Sequence, residues 1–311
     1  RASGSLAHVP PTEPALARVG VYANGAAGRH RAGVLRDRVV RRLRANGHDV
    51  LLIEADSADE GRVRTTEAVR TGRVDALAVI GGDGTAHLGA NACAGTDVPL
   101  VLVPGGTGND NARALGLPRN RPEDIVDLVT AGSVRRIDAG HAATEEGSRW
   151  WLGVLGGGFD TRVNDRGRTL TRLHGPLRYL VAVAVELRTF RGIPYTVQVD
   201  DERTDTTAML VAVGNGSSFG GGMKVCPDAS LRDGLLDVLI LHRVGRGEFL
   251  RIFPKVFSGS HVHHPAVEIR RGRRVRLDAE GVRTTQADGE DFLPLPVELE
   301  VVPGALAVVA P

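Results

Sequence analysis

The sequence predicts an α/β fold in two parts: a parallel-sheet domain over residues 17–140, then a β-rich, sandwich-like domain over residues 141–303. Three observations carry that prediction. Up to about Asp138, short apolar runs alternate with segments of helical period. After that point strand-like runs dominate. The early runs are continuous, as in strands covered on both faces, whereas several later ones alternate, as in strands buried on one face. At 311 residues the chain is long enough to bury two cores.

Taken in order, "RVGVYAN" from Arg18 to Asn24 reads as the first strand. The following "HRAGVLRDRVVRRLRANG" sets Leu35, Val39 and Leu43 four apart on one helical face, with arginines opposite and Gly47 as the stop. "DVLLIEA" is a strand, Asp59 to Thr71 a helix, and "DALAVIGG" and "VPLVLVPGG" are buried strands. In the second part "RWWLGVL", "IPYTVQV", "TAMLVAVG", "LLDVLIL", "AVEIRRGRRVRLD" and "VELEVV" read as strands. Helices interrupt them at Pro176 to Phe190 and Gly247 to Phe257, the first with a wide apolar face that suits core packing or a lipid entrance. The last run, "ALAVVA" within residues 304–311, is left open as a strand that returns to the first domain.

Composition excludes some functions. Lys+Arg 39 against Asp+Glu 37 leaves a net charge of +2, not the basic excess of a general nucleic-acid binder. Cys93 and Cys226 stand far apart with no metal-type spacing, as expected of a reduced cytoplasmic chain. No apolar run approaches the roughly 18–20 residues of a membrane span. The N-terminal stretch through Pro14 lacks an apolar signal core. A lipid ligand would then be met at the bilayer surface.

The chemistry concentrates in glycine-rich loops. Gly81, Gly82, Asp83, Gly84 and Thr85 follow a strand and precede a helix start at "AHLGANAC". Glycines let backbone N–H groups converge and let a phosphate approach, and a helix N-terminus adds a favourable dipole. Asp83 would repel phosphate unless a cation intervenes, so it implies Mg2+ or a proton to be accepted. Alone, the loop reads equally as a strand-to-helix turn with Asp83 as cap. A second loop, "VPGGTGNDNARALGLP", also follows a strand and brings Thr107 and Asp110. Two such loops on successive parallel strands line one crevice, where open α/β sheets bind ligands. A third, "NGAAGRH" from Asn24 to His30, offers small residues and Arg29. "ADGE" at Ala287 to Glu290 has the Asp-Gly pair of a hairpin turn and a carboxylate able to act as base. His261, His263 and His264 match no metal spacing and read as a solvated loop; "RRGRRVR" at Arg270 to Arg276 reads as an exposed strand face or an anionic-lipid patch.

With "GGDGT", "PGGTGNDNARALGLP", "RRIDAGH", "GGGFDTRV", "PDASLRDGLLDV" and "ADGE" in that order, the chain resembles the diacylglycerol kinase catalytic family, related to sphingosine kinases. The resemblance runs from about Val19 to Pro311. It implies a first domain like those of phosphofructokinases and NAD kinases, with ATP as phosphate donor and Mg2+ as cofactor. Asn24, Gly25, Ala26, Ala27 and Gly28 would form the first nucleotide loop. Gly82, Asp83, Gly84, Thr85, Ala86, His87 and Leu88 would form the triphosphate stretch, with Thr107 as a second-loop contact. Asp83, Asp110 and Asp138 would form a carboxylate network linking Mg2+ and nucleotide. Asp233, with the carbonyls of Ser230 and Leu235, would hold a structural Mg2+. Glu290 would be the base that deprotonates a lipid hydroxyl, with Asp83 the alternative base. The chain departs from the family pattern at Gly25 and Ala27, which replace a proline and a serine, and at Leu88, which replaces a glutamate.

The expected function is an ATP-dependent lipid kinase acting on a membrane lipid from the cytoplasmic face, with diacylglycerol the favoured acceptor and no nucleic-acid partner. Other lipid alcohols (a sphingoid base, phosphatidylglycerol), a soluble NAD-kinase-like activity and a non-catalytic binding protein are the alternatives. The sequence leaves a homodimer open.

Overall fold

The protein is described from a computed structural model, over residues 16–24, 29–158, 192–282 and 284–311. The first part runs β1 (Arg18–Ala23), α1 (Arg29–Ala45), β2 (Asp49–Ile53), α2 (Ala58–Arg70), β3 (Ala76–Gly81), α3 (Asp83–Cys93), β4 (Leu100–Pro104), α4 (Asp110–Ala114) and α5 (Pro122–Thr130). Its strands stand in the order β2-β1-β3-β4 and are parallel. The continuous apolar runs have the predicted consequence in β1, β3 and β4, which bury both faces, while β2 at the edge leaves Leu52 exposed. Leu77 and Val79 of β3 join Ala68, Val69 and Ala90 of α2 and α3 in one core. Ala76, Ala78 and Ile80 join Val39, Leu43, Ile125 and Val129 of α1 and α5 in another. Helix α3 lies so close to the sheet that a Cβ on Gly89 would stand 2.5 Å from Leu100 Cδ1.

The second part is antiparallel. It comprises β5 (Val134–Thr144), β6 (Gly147–Trp151), β7 (Val154–Gly158), β8 (Ile193–Val199), β9 (Glu202–Gly214), β10 (Leu236–His242), β11 (Val267–Gly272), β12 (Arg274–Ala279), β13 (Thr284–Ala287), β14 (Glu290–Pro294) and β15 (Val297–Val309). Alternate residues of β10 serve two cores. Leu236, Val238 and Ile240 meet Val197, Val211, Leu277 and Leu299. Leu239 and Leu241 meet α6 (Arg246–Ile252) and the turns after it.

Strand β15 joins the two parts. Its first half pairs antiparallel with β12 and β5, from Val297↔Leu277 and Glu298↔Ala143 onward. The register shifts between Val302 and Leu306, and Val308 then lies parallel to Leu100 of β4. The terminal "ALAVVA" run therefore completes the parallel sheet.

Four sequence expectations meet different outcomes. The helix at Pro176 to Phe190 lies outside the described residues. The helix at Gly247 to Phe257 is α6 followed by a 3-10 turn, Phe253–Phe257. His261 is not solvated: it is buried, with Nε2 at 3.1 Å from the Val225 carbonyl oxygen. The "RRGRRVR" run is largely ion-paired. Arg270 holds Glu268 and Thr204, Arg271 bridges Asp233 and Asp237, and Arg276 holds Glu298.

Leu306 is fully buried in the first core on the returning half of β15. Leu306→Ala is expected to lower stability by about 2–5 kcal/mol in urea unfolding, whereas exposed Val63→Ala on α2 should change it by less than about 0.5 kcal/mol.

Candidate active site

Adjacent parallel strands bring their C-terminal loops together. Gly81 of β3 stands opposite Pro104 of β4, and the Gly105 N–H donates to the Gly81 carbonyl at 2.8 Å. A Cβ on Gly106 would lie 2.6 Å from Gly82 Cα, so the two bends approach closer than any side chain allows. Asn109, at φ +54°, closes the second bend. Its Nδ2 donates to the Gly106 carbonyl at 2.6 Å and its Oδ1 accepts the Gly106 N–H at 3.0 Å. Between the bends and α1 opens a cleft of 580 Å³, lined in part by Asn24, Gly82, Thr85, Gly106, Thr107 and Arg119. The N-terminus of α3, capped by Gly82 without a side-chain hydrogen bond, stands beside it. That combination of a helix N-terminus, its dipole and missing Cβ atoms suits phosphate.

Carboxylates gather at the far end of the same bends. A Cβ on Gly108 would meet Asp83 Oδ2 at 2.7 Å and Asp110 Oδ2 at 3.5 Å. Burial pushes the Asp83 carboxyl up to about 6, and the Asp110 and Asp288 carboxylates add to the effect, against the N–H of Asn111 that donates to it at 3.1 Å. Asp110 is fully committed. It accepts from the Arg113 guanidinium, from Ser218 Oγ at 3.3 Å and from the Gly221 N–H at 2.6 Å. It thus holds the first domain's loop to the Ser217–Met223 loop of the second.

Glu290 arrives from the β13–β14 hairpin. Ala287 pairs with Glu290, leaving Asp288 and Gly289 as a two-residue turn at φ +52° and +85°, the left-handed pair that a tight hairpin needs. Asp288 does more than turn the chain. Oδ1 accepts the Gly153 N–H at 2.8 Å, and Oδ2 accepts the Leu152 N–H at 3.1 Å and lies 3.2 Å from His87 Nδ1. His87 also packs edge-on against Phe292 of β14, ring centroids 5.6 Å apart. These contacts press the hairpin onto the start of α3. A Cβ on Gly84 would lie 2.3 Å from Glu290 Oε1, so Gly84 makes the room in which that carboxylate sits.

The residues at the head of α3 fit a hard divalent cation. Their donors are carboxylate oxygens, and Asp83 is a desolvated anion among other anions. No group of three His, Cys, Asp or Glu side chains among the described residues converges tightly enough to hold a metal unaided. A cation on Asp83 would need phosphate oxygens to complete its shell. At the second expected metal position, Asp233 with the carbonyls of Ser230 and Leu235, the Asp233 carboxylate is held by the Arg271 guanidinium and accepts the Leu235 N–H at 3.2 Å. Arg271 also reaches Asp237 at 3.2 Å, so one guanidinium faces two carboxylates.

Other assignments also move. The Asp138 carboxylate accepts the N–H groups of Gly234 at 2.8 Å and Gly304 at 2.9 Å, and its own N–H donates to the Leu231 carbonyl at 2.8 Å. It fastens the Leu231–Gly234 loop to β15. Ala86 and Leu88 are buried in the first core, so Leu88 does not face the nucleotide side of α3. His87 turns its Nδ1 to Asp288 and sets its Nε2 3.3 Å from Asn91 Nδ2. Gly25, Ala26, Ala27 and Gly28 lie outside the described residues. Sequence reasoning missed Asn111, Arg113, Ser218 and Gly221. The available signal for the last two was Gly220–Gly222, three successive glycines that all adopt positive φ.

Known proteins share the family and the fold. The "Diacylglycerol kinase catalytic domain" profile matches residues 18–142, and the "YegS C-terminal NAD kinase beta sandwich-like domain" matches residues 153–310. A diacylglycerol kinase of Mycobacterium tuberculosis is 38% identical over 274 residues, 88% of each chain. One of Bacillus subtilis is 31% identical over 219 residues, 70% of this chain and 71% of the relative. The crystal structure of a diacylglycerol kinase from Bacillus anthracis superposes with a TM-score of 0.75 at 24% identity, covering 96% of this chain and 98% of that one, and shows the shared fold. On the profile over its first domain, the profile over its second and the relative spanning 88% of its length, this chain belongs to the diacylglycerol kinase catalytic-domain family.

Proposed function

We propose that this chain transfers the γ-phosphoryl group of ATP to a lipid hydroxyl, with diacylglycerol as acceptor and phosphatidic acid as product. The observation that carries the reading is Glu290, delivered by the second domain to Gly84 at the head of the phosphate-type helix. The names of the relatives supply the acceptor class. Among the described residues no helix is long and apolar enough to cross a membrane, so the lipid is met at the bilayer surface.

In phosphoryl transfer the protein positions the reactants and stabilises charge. The triphosphate lies in the cleft over Gly82, Gly84 and Gly106, where backbone N–H groups and the α3 dipole face it. The lipid hydroxyl approaches from the β side. Glu290 accepts its proton, the oxygen bonds to the γ-phosphorus, and the bond to the β-phosphate oxygen breaks. Mg2+, when bound at Asp83, supplies neutralisation of the phosphate charge. Asp288 and His87 hold the base in line. A second reading, with Asp83 as the base, is favoured by the carboxyl being pushed up to about 6.

The decisive assay is labelled-ATP incorporation into a total lipid extract, with NAD as a control acceptor and the product identified by mass. Phosphatidic acid is the expected product; labelled NADP alone would overturn the reading. Glu290→Gln should lower kcat about 10²–10⁴-fold with ATP binding retained; near-wild-type turnover would move the base to Asp83. Gly84→Ala, which drives a methyl into Glu290, should cut kcat by at least about tenfold while thermal unfolding stays cooperative.

Asp83 also makes a prediction in pH. Its folded value lies above that of an unfolded aspartate, so its contribution to stability is present below about pH 4 and is lost as pH rises through about 6. Asp83→Asn should therefore abolish turnover yet stabilise the metal-free protein at pH 8 by roughly 1–3 kcal/mol. Lower stability of the variant at that pH would show that the carboxylate carries no desolvation penalty.

A further inference from the structure

We propose that Asn91 is a positioning residue for Glu290, acting through the His87 ring and the backbone of Trp150, an assignment that rests on the kinase reading above. Helix α3 spaces Asp83, His87 and Asn91 four residues apart, so the three lie along one stripe. That stripe faces the seam: Asp83 meets Asn111, His87 meets Asp288 and Asn91 meets Trp150. The Asn91 carboxamide exchanges hydrogen bonds with both backbone groups of Trp150 in β6. Its Oδ1 accepts the Trp150 N–H at 2.9 Å, and its Nδ2 donates to the Trp150 carbonyl at 2.9 Å. This pairing settles which end of the amide is oxygen and which is nitrogen. Nδ2 also donates to the His87 carbonyl at 2.9 Å and lies 3.3 Å from His87 Nε2.

Two arms run from Asn91, and both end on Asp288. The first passes through the imidazole. Nε2 meets an amide donor, so it is the bare nitrogen, and the ring carries its proton on Nδ1. That N–H donates to Asp288 Oδ2, 3.2 Å away. The opposite tautomer would set an N–H against the Asn91 amide and a bare nitrogen against a carboxylate. The second arm follows the chain. Trp150 stands just before Leu152 and Gly153, whose N–H groups donate to Asp288 at 3.1 and 2.8 Å. Asn91 thus joins the helix side of the anchorage to the strand side. The Asp288 side chain is 1% exposed, and a carboxylate so buried keeps its place only while its donors keep theirs. Glu290 follows two residues on, its Oε1 in the space that Gly84 leaves open. A shift of α3 against β6 therefore reaches the base by two routes, although Asn91 itself bonds Trp150 and His87.

The test uses the full chain and has two readouts. The first is a nitrogen–proton correlation spectrum of protein labelled in its histidine rings, recorded at about pH 8, above the ordinary titration range of imidazole. His87 is assigned by the signals lost in His87→Gln. A ring with its proton on Nδ1 and a bare Nε2 is expected; a proton on Nε2 would overturn the proposal. The second readout is turnover of diacylglycerol in phosphatidylglycerol–phosphatidylcholine vesicles with ATP and Mg2+. Asn91→Ala should lower kcat about tenfold with KM for ATP unchanged. In Glu290→Gln protein the same change should lower the residual kcat less than about twofold, because the carboxylate it positions is gone. Equal losses in the two backgrounds, or wild-type turnover of Asn91→Ala, would overturn the positioning role. If Asn91→Ala loses its cooperative melt, Asn91→Asp replaces it: an acceptor for the Trp150 N–H remains, the Nδ2 donors are lost, and the same split is expected. Phosphorylation of no lipid at all would end the kinase reading and the positioning role together, and the His87 spectrum would still judge the tautomer.

Discussion

The site depends on the carboxylate of Asp288. It sits at a left-handed turn position, is buried, and spends both oxygens on N–H groups of Leu152 and Gly153 and on His87. A buried carboxylate is tolerated only when such donors surround it. Those donors come from two places: the turn before β7 and the middle of α3. Asp288 thus ties the hairpin to both parts of the chain at once. Glu290, two residues on, inherits its position from that anchorage. Asp110 makes the matching tie at the other end of the cleft, through Ser218 and Gly221. The catalytic geometry is therefore a property of the seam between two cores, neither of which contains it.

The seam is also where local preference is overridden. Asn109 and Asp288 adopt positive φ although neither is glycine, each held there by its own side-chain hydrogen bonds. Gly81, Gly84, Gly106 and Gly108 each border an atom that a methyl would strike. Asp83 keeps a carboxylate among carboxylates. Such conflicts between residue and surroundings are expected at functional sites. Elsewhere, as in β3, pattern and packing agree residue by residue.

That contrast explains what the sequence could reveal. Continuous apolar runs mark strands sandwiched on both faces, and β1, β3 and β4 fill that role. Glycine bends after β3 and β4 mark a crevice because parallel neighbours must end side by side. What stayed hidden were contacts between residues far apart in the chain. Nothing near His87 announces that its partner is 201 positions away. Asp138 and Asp83 look alike as aspartates after apolar runs, yet one accepts the N–H groups of Gly234 and Gly304 and the other lies beside the Asp110 and Asp288 carboxylates. Leu88 reads as a defect in a motif until the helix phase is known; it then falls on the core face of α3, while Asp83, Gly84 and His87 fall toward the seam. His261 failed as a sequence reading for the same reason, since spacing along the chain did not show that it closes an apolar core.

The same distinction bears on how charge is distributed. Where carboxylates meet a cation of the chain, as Asp233 and Asp237 meet Arg271, part of their charge is already offset within the fold. At Asp110 the Arg113 guanidinium does likewise. At Asp83 the chain supplies backbone N–H groups of Asn111 and Asp110 and no cation, and Oδ2 borders the hollow left by Gly108. An unfolded chain would solvate that oxygen freely, so folding makes the anion less comfortable than it was. Under the function proposed above, a divalent cation seated between Asp83 and the nucleotide phosphates would remove that penalty, so the desolvation that holds the free carboxyl toward its protonated form would favour binding of the cation.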